Sequence, residues 1–245
     1  MITGLITVRS TSKRLPRKCF LPFGEWTIIE HIIKRTKHYG IDPILCTCTD
    51  SDDDELEEIA HQENIKVFRG SLVNKLKRWY DCCEYFNIES FHTIDADDPF
   101  FDGDLMYKSM NLLNNGYDVV CPTASSSSGN ASVGYSLTKN IVKRALGPIK
   151  DSTDTEMIWH ALDKVKNINK IVLPEESNRV LKIRLTLDYE EDYWLLESVR
   201  KIVGNLANRS IIDQLFIDNP DLYKVNWFRN AEWKNLQNQQ FSSDD

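Results

Sequence analysis

The chain has 245 residues, of which 41% are hydrophobic and 27% charged; these values argue against disorder over most of its length and predict one sizeable domain. Its formal net charge of −7 argues against general nucleic-acid binding, because phosphate backbones repel an acidic surface. No apolar run approaches the roughly 20 residues of a membrane-spanning helix. The six cysteines lack paired CxxC spacing, so we expect reduced thiols and a cytoplasmic protein without a membrane segment or signal peptide.

The first half of the chain alternates segments with strand and helix patterns. Strands are predicted over 2–8, 44–48, 65–68, 91–94 and 118–121, and helices from 26 onward, in an acidic stretch from 50 and over 72–86. Asp50 or Ser51 would cap the second of these helices. The alternation predicts a mainly parallel α/β sheet flanked by helices, in which ligands lie at the carboxyl ends of the strands.

The second half of the chain is less regular. The polar loop at 125–130 is too rich in small residues to pack, and the weak periodicity that follows predicts a small lobe, inserted at about 125–180, with a helix around 155–165. The segment 181–187 alternates as a strand, and a helix is predicted from about 190 to 202. We expect one domain over 1–236 and a flexible tail over 237–245.

Positive charge concentrates in the loop that follows the first predicted strand. Five cations occupy ten residues without an acid among them: Arg9, Lys13, Arg14, Arg17 and Lys18. A triphosphate site requires positive charge and backbone N–H donors near a helix terminus, and a loop at the carboxyl end of a strand can supply both. A solvated basic turn would explain the charge equally well, so the loop alone leaves both interpretations open.

Negative charge concentrates in the turn after the fourth predicted strand. Four acids flank Pro99 there: Asp95, Asp97, Asp98 and Asp102. Crowded carboxylates repel one another unless a hard cation joins them, and Mg²⁺ binds carboxylate and phosphate oxygens. The D-x-D spacing places Asp95 and Asp97 on the same side of an extended backbone. Turn formation and helix capping are the alternative explanation.

A further acid, Asp188, closes the predicted strand 181–187 and precedes a predicted helix. As an N-cap it would be unremarkable. If this strand lies beside the one that ends at Asp95, however, Asp97 and Asp188 would converge on one metal ion. Together with the cation loop, such a pair would describe phosphoryl chemistry, in which the protein positions substrates and neutralises charge. The sequence has no H-E-x-x-H, G-x-S-x-G, Walker A or G-x-G-x-x-G motif to indicate another chemistry.

Several ordered motifs resemble those of one family. The segments VRSTSKRLPRKCFLPFGEWTIIEHIIKR, TCTDSDDDELEEIA, VFRGS, DADDPFFD, KIRLTLDYEEDYWLLE and SIIDQLFIDNPDLYKVN are similar to cytidylyltransferases of the spore-coat polysaccharide type, relatives of the CMP-KDO and CMP-sialic acid synthetases. The resemblance covers the first half of the chain densely and the last quarter well. Several motifs in order are more specific than any one of them.

The resemblance implies a GT-A-like nucleotidyltransferase domain that uses Mg²⁺ to transfer CMP from CTP to a small anionic acceptor, such as a sugar acid, with release of pyrophosphate. Arg9, Arg14 and Lys18 match the catalytic, phosphate-contacting residues of the family, and Asp97 and Asp188 match its metal ligands. The residues expected to bind the nucleotide are Val8, Arg9, Ser10, Thr11, Ser12, Arg14, Lys18, Asp50, Arg69, Ser71 and Asp95. The family also suggests surface-polysaccharide biosynthesis and a homodimer.

The chain departs from the family pattern in the loop and on the acceptor side. Thr11 and Arg17 stand where the family has glycine, and Arg17 adds a charge that could meet the acceptor. Because DSTDTEMIWHAL replaces the family's R-E-H-V-T segment, the expected acceptor-binding residues are Arg17, Asp154 and Glu156. Three alternatives stay open: a phosphorylated acceptor giving a CDP product, a GT-A glycosyltransferase with Asp95 and Asp97 as its D-x-D motif, and a degenerate nucleotide-binding protein.

Overall fold

A mainly parallel sheet forms the centre of the fold. The computed structural model describes residues 1–175 and 181–233. The strands are β1 (Thr3–Thr7), β2 (Pro22–Phe23), β3 (Trp26–Thr27), β4 (Asp42–Cys48), β5 (Lys66–Gly70), β6 (Ser90–Asp95), β7 (Val119–Cys121), β8 (Ser136–Thr138) and β9 (Lys170–Val172). The sheet has the order β5-β4-β1-β6-β8-β7-β9, and β2 pairs with β3 as a separate hairpin. Within the sheet, only the pairings of β8 with β6 and β7 are antiparallel.

Side chains from the two faces of the sheet pack into two hydrophobic cores. Ile6 and Leu45 belong to the first core, whereas Leu5 and Ile44, their neighbours along β1 and β4, belong to the second. Successive side chains of a strand point to opposite faces, so the central strands are buried on both sides. This double burial explains why these strands are continuous apolar runs in the sequence.

Helices cover both faces of the sheet, as predicted. They are α1 (Ile28–His38), α2 (Asp54–Gln62), α3 (Lys75–Phe86), α4 (Gly103–Asn114), α5 (Lys139–Leu146), α6 (Ile158–Asp163), α7 (Glu190–Val203) and α8 (Arg209–Asp218). Apolar residues of α1, α4 and α7 pack into the first core, and those of α3, α5 and α6 into the second. The predicted fold class, a helix-flanked α/β sheet, is therefore confirmed.

Two predicted helices begin later than their sequence patterns suggested. The prediction that Asp50 or Ser51 caps α2 is wrong, because Asp50 instead caps the 3-10 turn Ser51–Asp53, and α2 starts at Asp54. The helix predicted from position 72 starts at Lys75, since the side chain of Asn74 accepts a hydrogen bond from Lys77 N and caps it. In both places a polar residue near the expected start forms a local turn first.

The prediction of a strand over 181–187 is wrong. These residues form no strand, because their backbone donates isolated hydrogen bonds to turns: Leu185 N to the carbonyl of Gly129 (2.9 Å) and Leu187 N to that of Asp97 (2.7 Å). The alternation nevertheless has a physical cause. Ile183, Leu185 and Leu187 enter the first core, while the polar residues between them are buried in hydrogen bonds and ion pairs.

The region expected to form a small lobe is continuous with the sheet where the structure describes it. It supplies β8 and β9, and its helix α5 packs against α3. The loop at 125–130 does pack, because the buried hydroxyl of Ser126 accepts hydrogen bonds from the backbone of Ser132 and Val133. The domain limits at 1–236 and the lobe limits stay predictions, and the expected tail at 237–245 lies outside the described residues. No helix in the described residues has the length and apolarity to cross a membrane.

Candidate active site

The cation loop starts at the end of β1 and is anchored by Asp53. Ser10 N donates to Asp53 Oδ1 (2.7 Å), while Thr47 Oγ1 and Cys48 N donate to Asp53 Oδ2 (2.5 and 3.2 Å). Burial alone would raise the pKa of Asp53, but the hydrogen bonds from Cys48, Thr47 and Ser10 outweigh it and lower the pKa. The Asp53 carboxylate therefore stays ionised and ties the loop to the end of β4.

Three oxygen atoms surround the ammonium group of Lys18. Its Nζ lies 2.8 Å from Asp97 Oδ2, 3.0 Å from Asp188 Oδ1 and 2.7 Å from the Leu187 carbonyl oxygen. Asp97 follows β6 and Asp188 follows the extended segment 181–187, and the hydrogen bond between Leu187 N and the Asp97 carbonyl joins the two. The structure thus brings Asp97 and Asp188 to one point without placing two strands side by side. We call Lys18, Asp97 and Asp188 the Lys18 cluster.

Burial and charge oppose each other in the Lys18 cluster. Burial alone would lower the pKa of Lys18 and raise that of Asp188, but attraction between opposite charges, in which Arg14 takes part, reverses both directions. The pKa of Asp97 is raised, because burial and repulsion by Asp188 outweigh the attraction of Lys18. Burial and repulsion by Asp97 raise the pKa of the adjacent Asp98 still further. The acids gathered here are therefore incompletely neutralised, and a further cation would stabilise them.

A buried ion pair fixes the orientation of Asp188. Arg184 donates to both carboxylate oxygens of Asp192 (2.8 and 2.9 Å), and its Nη2 lies 3.4 Å from Asp188 Oδ2. Asp192 Oδ2 also accepts hydrogen bonds from the backbone N–H groups of Asp188 and Tyr189 (2.9 and 3.0 Å), next to the start of α7. Asp188 is thus held by the first turn of α7 rather than by a strand.

The other cations of the loop point in different directions. Arg14 donates to Asp188 Oδ1 and lies over the ring of Tyr189, 5.5 Å from its centroid, so it belongs beside the Lys18 cluster. Arg17 has a left-handed backbone (φ 54°), whereas Thr11, the other residue at a family glycine, does not. The Arg17 side chain pairs with Glu55 on α2, away from the Lys18 cluster. The structure therefore separates Arg17 from Arg14 and Lys18.

A second ionic cluster, which we call the Lys75 cluster, joins Arg9, Lys75, Asp95 and Glu156. Lys75 Nζ, at the first residue of α3, lies 3.1 Å from Asp95 Oδ1 and 3.3 Å from Glu156 Oε1. Arg9 Nη2 donates to Glu156 Oε2 (3.0 Å), and Arg9 Nη1 donates to the Leu72 carbonyl (3.1 Å). The structure thus brings the expected residues Arg9, Asp95 and Glu156 together around Lys75 rather than around Lys18. Asp95 and Asp97 are bonded to different lysines.

The residues expected beside the nucleotide base lie at the carboxyl ends of β4 and β5. Arg69 Nε donates to the Cys48 carbonyl (3.0 Å) and its Nη2 to the Asp50 carbonyl (2.6 Å), which joins the two strand ends. Ser71 follows β5, and its hydroxyl accepts a hydrogen bond from Asn74 N (3.1 Å). The three residues therefore border the same edge of the sheet as the cation loop.

A comparison with known protein families identifies the family of this chain. The model of the family described as Cytidylyltransferase matches residues 3–191, more than half of the chain and a range that contains both ionic clusters. The chain belongs to the cytidylyltransferase family. It is therefore a nucleotidyltransferase, which confirms the enzyme class expected from the sequence and leaves the spore-coat subtype as a prediction.

Relatives and solved structures cover nearly the whole of this cytidylyltransferase. The uncharacterized protein MJ1063 of Methanocaldococcus jannaschii is 29% identical over 236 residues, which are 92% of this chain and 94% of the relative. A cytidylyltransferase structure from Leptospira borgpetersenii has a TM-score of 0.81 at 23% identity, covering 91% of this chain and 96% of that one. A structure of CMP:2-keto-3-deoxy-manno-octonic acid synthetase complexed with CTP has a TM-score of 0.62 at 12% identity, covering 82% and 98%. Both structures share the fold.

The Lys18 cluster of this cytidylyltransferase has a donor set that fits a magnesium ion. The described residues contain no group of three or more His, Cys, Asp or Glu side chains arranged to hold a metal. Mg²⁺ commonly uses one or two carboxylates together with substrate phosphates and water, so a full protein cage is unnecessary. Asp97 and Asp188 supply two carboxylates that already meet around one positive charge at 2.8 and 3.0 Å.

Sequence reasoning missed three residues of this cytidylyltransferase site. Asp53 lies in a run of acids, SDDDE, in which nothing in the pattern distinguishes the one that turns inward. Arg184 lies in the segment predicted as an alternating strand, and it is fully buried. Lys75 lies in the helix predicted over 72–86, where nothing in the pattern marks it as a site residue. A buried position for a cation is not visible in a single sequence, because it depends on which acids the fold brings near it.

Proposed function

We propose that this cytidylyltransferase transfers CMP from CTP to a small anionic acceptor, such as a sugar acid, with release of pyrophosphate and with Mg²⁺ as the cofactor. The observation that carries the proposal is the convergence of Asp97 and Asp188 on Lys18 Nζ, with Arg14 beside them. This arrangement combines two metal-type ligands with two cations at the carboxyl edge of the sheet, where ligands of such folds bind.

The chemistry requires the residues of the site to position and neutralise the substrates. Bound Mg²⁺ would be held by Asp97 and Asp188 and would supply charge neutralisation at the CTP phosphates. Lys18 and Arg14 would turn from the carboxylates to the phosphate oxygens, and the backbone of Val8, Ser10, Thr11 and Ser12 would line the phosphates. The acceptor hydroxyl oxygen would then form its bond to the α-phosphorus as the bond to pyrophosphate breaks, and the hydroxyl proton would pass to water.

The remaining parts of the proposal are the contacts to the nucleotide base and the identity of the substrates. Asp50, Arg69 and Ser71 border this edge and would contact the cytosine nucleotide. The related synthetase structure contains CTP, and its name specifies a sugar acid, 2-keto-3-deoxy-manno-octonic acid; this supports CTP and a sugar acid as the substrates here. We also propose a role in surface polysaccharide or glycoconjugate synthesis, a cytoplasmic location and a homodimer, all on the family resemblance.

The contacts of the D-x-D residues argue against the glycosyltransferase alternative. In that alternative Asp95 and Asp97 would hold one metal ion together. Here the Asp95 carboxylate accepts a hydrogen bond from Lys75, whereas the Asp97 carboxylate accepts one from Lys18. The two carboxylates are therefore directed to different cations. The partner that shares a cation with Asp97 is Asp188, which lies far away in the sequence.

Pyrophosphate release tests the proposed function. The protein would be incubated with Mg²⁺, CTP and single acceptors: 2-keto-3-deoxy-manno-octonic acid, a nonulosonic acid such as N-acetylneuraminate, and a set of sugar phosphates. We expect pyrophosphate with a sugar acid, a CMP product, and little release when UTP, GTP or ATP replaces CTP. A sugar phosphate as the sole acceptor would establish the CDP alternative. Sugar transfer from a nucleotide sugar without pyrophosphate would overturn the proposal.

A further inference from the structure

The carboxylate of Glu156 lies between two cations on the open side of the Lys75 cluster. One of its oxygens is 3.0 Å from Arg9 Nη2 and the other is 3.3 Å from Lys75 Nζ. The Glu156 side chain is 48% exposed, whereas that of Lys75 is only 9% exposed. The position that Glu156 occupies is therefore a seat for a carboxylate, with a buried cation below it and solvent above it. We call it the Arg9–Lys75 seat.

The charge balance of the seat depends on Glu156. Lys75 has one further acidic partner, Asp95, at 3.1 Å, and its ammonium lies over the ring of Trp79, 5.3 Å from the centroid. Within residues 1–175 and 181–233, Arg9 pairs with no other acid, and its remaining hydrogen bond goes to the Leu72 carbonyl. If the Glu156 side chain turned away, Arg9 would lose its acidic partner and Lys75 would keep Asp95 as its ion-pair partner, so the seat would attract an anion from solution.

The backbone around Glu156 allows its side chain to leave alone. Thr155 is buried and fixed to α3, because its hydroxyl accepts from Leu76 N (3.0 Å) and donates to Asn74 Oδ1 (3.0 Å). Glu156 N donates to Asp154 Oδ1 (2.8 Å) within the same segment. None of these bonds uses the Glu156 carboxylate. A rotamer change of one exposed side chain would therefore open the seat without moving the segment.

Lys75 and Lys18 reach the carboxyl edge of the sheet from segments that pack on opposite faces. Leu76 and Trp79, next to Lys75 on α3, pack into the second core. Cys19 and Leu187, next to Lys18 and Asp188, pack into the first core. In an in-line displacement the acceptor approaches the phosphorus from the side opposite the leaving pyrophosphate. If the Lys18 cluster binds the phosphates, the Arg9–Lys75 seat is placed for the acceptor.

We propose that the Arg9–Lys75 seat binds the carboxylate of the acceptor and that Glu156 closes this seat until the acceptor enters. The inference rests on the proposed function for the identity of the anion. Arg9 would accordingly contact the acceptor rather than the triphosphate. Lys75 becomes the substrate-contacting residue that determines the preference for an acidic acceptor.

Anion binding without CTP tests the seat separately from turnover. The probe is pyruvate, a small 2-keto carboxylate, titrated into ¹⁵N-labelled protein while the backbone amide signals of Leu76 and Thr155 are followed. We expect Glu156→Gln to bind pyruvate about tenfold more tightly than the unmodified protein, because a competing ionic hydrogen bond is removed. Adding Arg9→Gln or Lys75→Met to that variant should abolish the gain. Two alternative double variants are used so that a folding defect in one of them leaves the other available for the test.

A matched ion pair elsewhere supplies the control. Lys139 also contacts two carboxylates, those of Glu84 (3.0 Å) and Glu89 (2.8 Å), but it lies beside the amino end of β6, away from the carboxyl edge. Glu89→Gln should leave pyruvate binding unchanged.

The outcomes separate the seat from the proposed function. Equal pyruvate affinity in the unmodified protein and in Glu156→Gln would overturn the inference, even if CTP turnover is found. Tightening for inorganic pyrophosphate but not for pyruvate would also overturn it, because the seat would then serve the nucleotide. Tighter pyruvate binding that requires Arg9 and Lys75 would support it, even if no tested acceptor releases pyrophosphate from CTP.

Discussion

Two lysines at the carboxyl edge of the sheet each contact two carboxylates, but their surroundings differ. Lys18 contacts Asp97 and Asp188, whose side chains are 29% and 3% exposed, and both acids are held by backbone contacts of their own segments. Lys75 contacts Asp95 and Glu156, whose side chains are 40% and 48% exposed. The acids of the Lys18 cluster are therefore more deeply buried than those of the Lys75 cluster.

The two clusters therefore suit different ligands. Two fixed carboxylates around one ammonium suit exchange of that ammonium for a divalent cation, since the acids already converge. Two cations around one exposed carboxylate suit exchange of that carboxylate for an anionic ligand. Both lysines have raised pKa values, because attraction to their acids outweighs the lowering effect of burial. The lysines alone therefore look alike, and the exposure of their acidic partners distinguishes them.

Removing a carboxylate from the Lys18 cluster should have the largest effect. Asp188→Asn and Asp97→Asn should each lower Mg²⁺-dependent pyrophosphate release by about a thousandfold, because charge stabilisation at the reacting phosphates is lost. The measurement is kcat with saturating CTP, together with the thermal midpoint to show that the fold persists. Asp81→Asn on α3, where Asp81 pairs only locally with Lys77, serves as a control with unchanged kcat. Full activity in Asp97→Asn or Asp188→Asn would remove that acid from the metal site.

Removing Lys18 should lower the catalytic efficiency with CTP and leave Asp97 and Asp188 without their shared ammonium group. Lys18→Met should lower kcat/KM for CTP by about a hundredfold. It should also destabilise the metal-free protein by about 3 kcal/mol, because Asp97 and Asp188 lose their buried partner. Urea unfolding with and without Mg²⁺ checks this, and Mg²⁺ should restore more stability to the variant than to the unmodified protein. An equal response to Mg²⁺ in both would show that the ion does not enter this cluster; Lys139→Met is the matched control.

Removing Lys75 should give a smaller effect that falls on the other substrate. Lys75→Met should raise the KM of an acidic acceptor about tenfold, a typical loss for one ionic hydrogen bond. The concentration of Mg²⁺ that gives half-maximal activity should not change, because the Lys18 cluster is intact. Initial rates at varied acceptor and varied Mg²⁺ separate the two constants. A shift in the Mg²⁺ requirement, with the acceptor KM unchanged, would contradict the division of roles between the two clusters.

Mild acid should destabilise the protein through buried histidines, outside both clusters. Burial lowers the pKa of His31 and of His92 to about 3, well below the value of an unfolded chain. Between these values the unfolded chain binds protons that the native state does not, so stability falls as pH falls from about 6.5 towards 3. Each histidine contributes about 1.4 kcal/mol per pH unit. Urea unfolding at pH 7, 6 and 5 should show a shallower fall for His92→Gln, and identical slopes would contradict this assignment.

The sheet, its flanking helices and the two charged segments could be predicted from the sequence, because apolar periodicity and local charge depend on residues that are close together in the chain. It also placed Asp97 and Asp188 at one point, but through a strand pairing that does not exist. In the segment 181–187 the polar residues Arg184 and Thr186 are buried, and Arg184 pairs with Asp192; periodicity cannot distinguish such buried polar residues from exposed ones. Lys75 could not be predicted, since its acidic partners are 20 and 81 residues away.

The most direct test of the account is the count of metal ions at the Lys18 cluster. Mn²⁺, which replaces Mg²⁺ in many sites and is visible by electron paramagnetic resonance, would be titrated into the protein with CTP present. We predict one tightly bound Mn²⁺ per chain that depends on CTP and is lost in the double variant Asp97→Asn, Asp188→Asn. Undiminished CTP-dependent Mn²⁺ binding in that double variant would contradict the account.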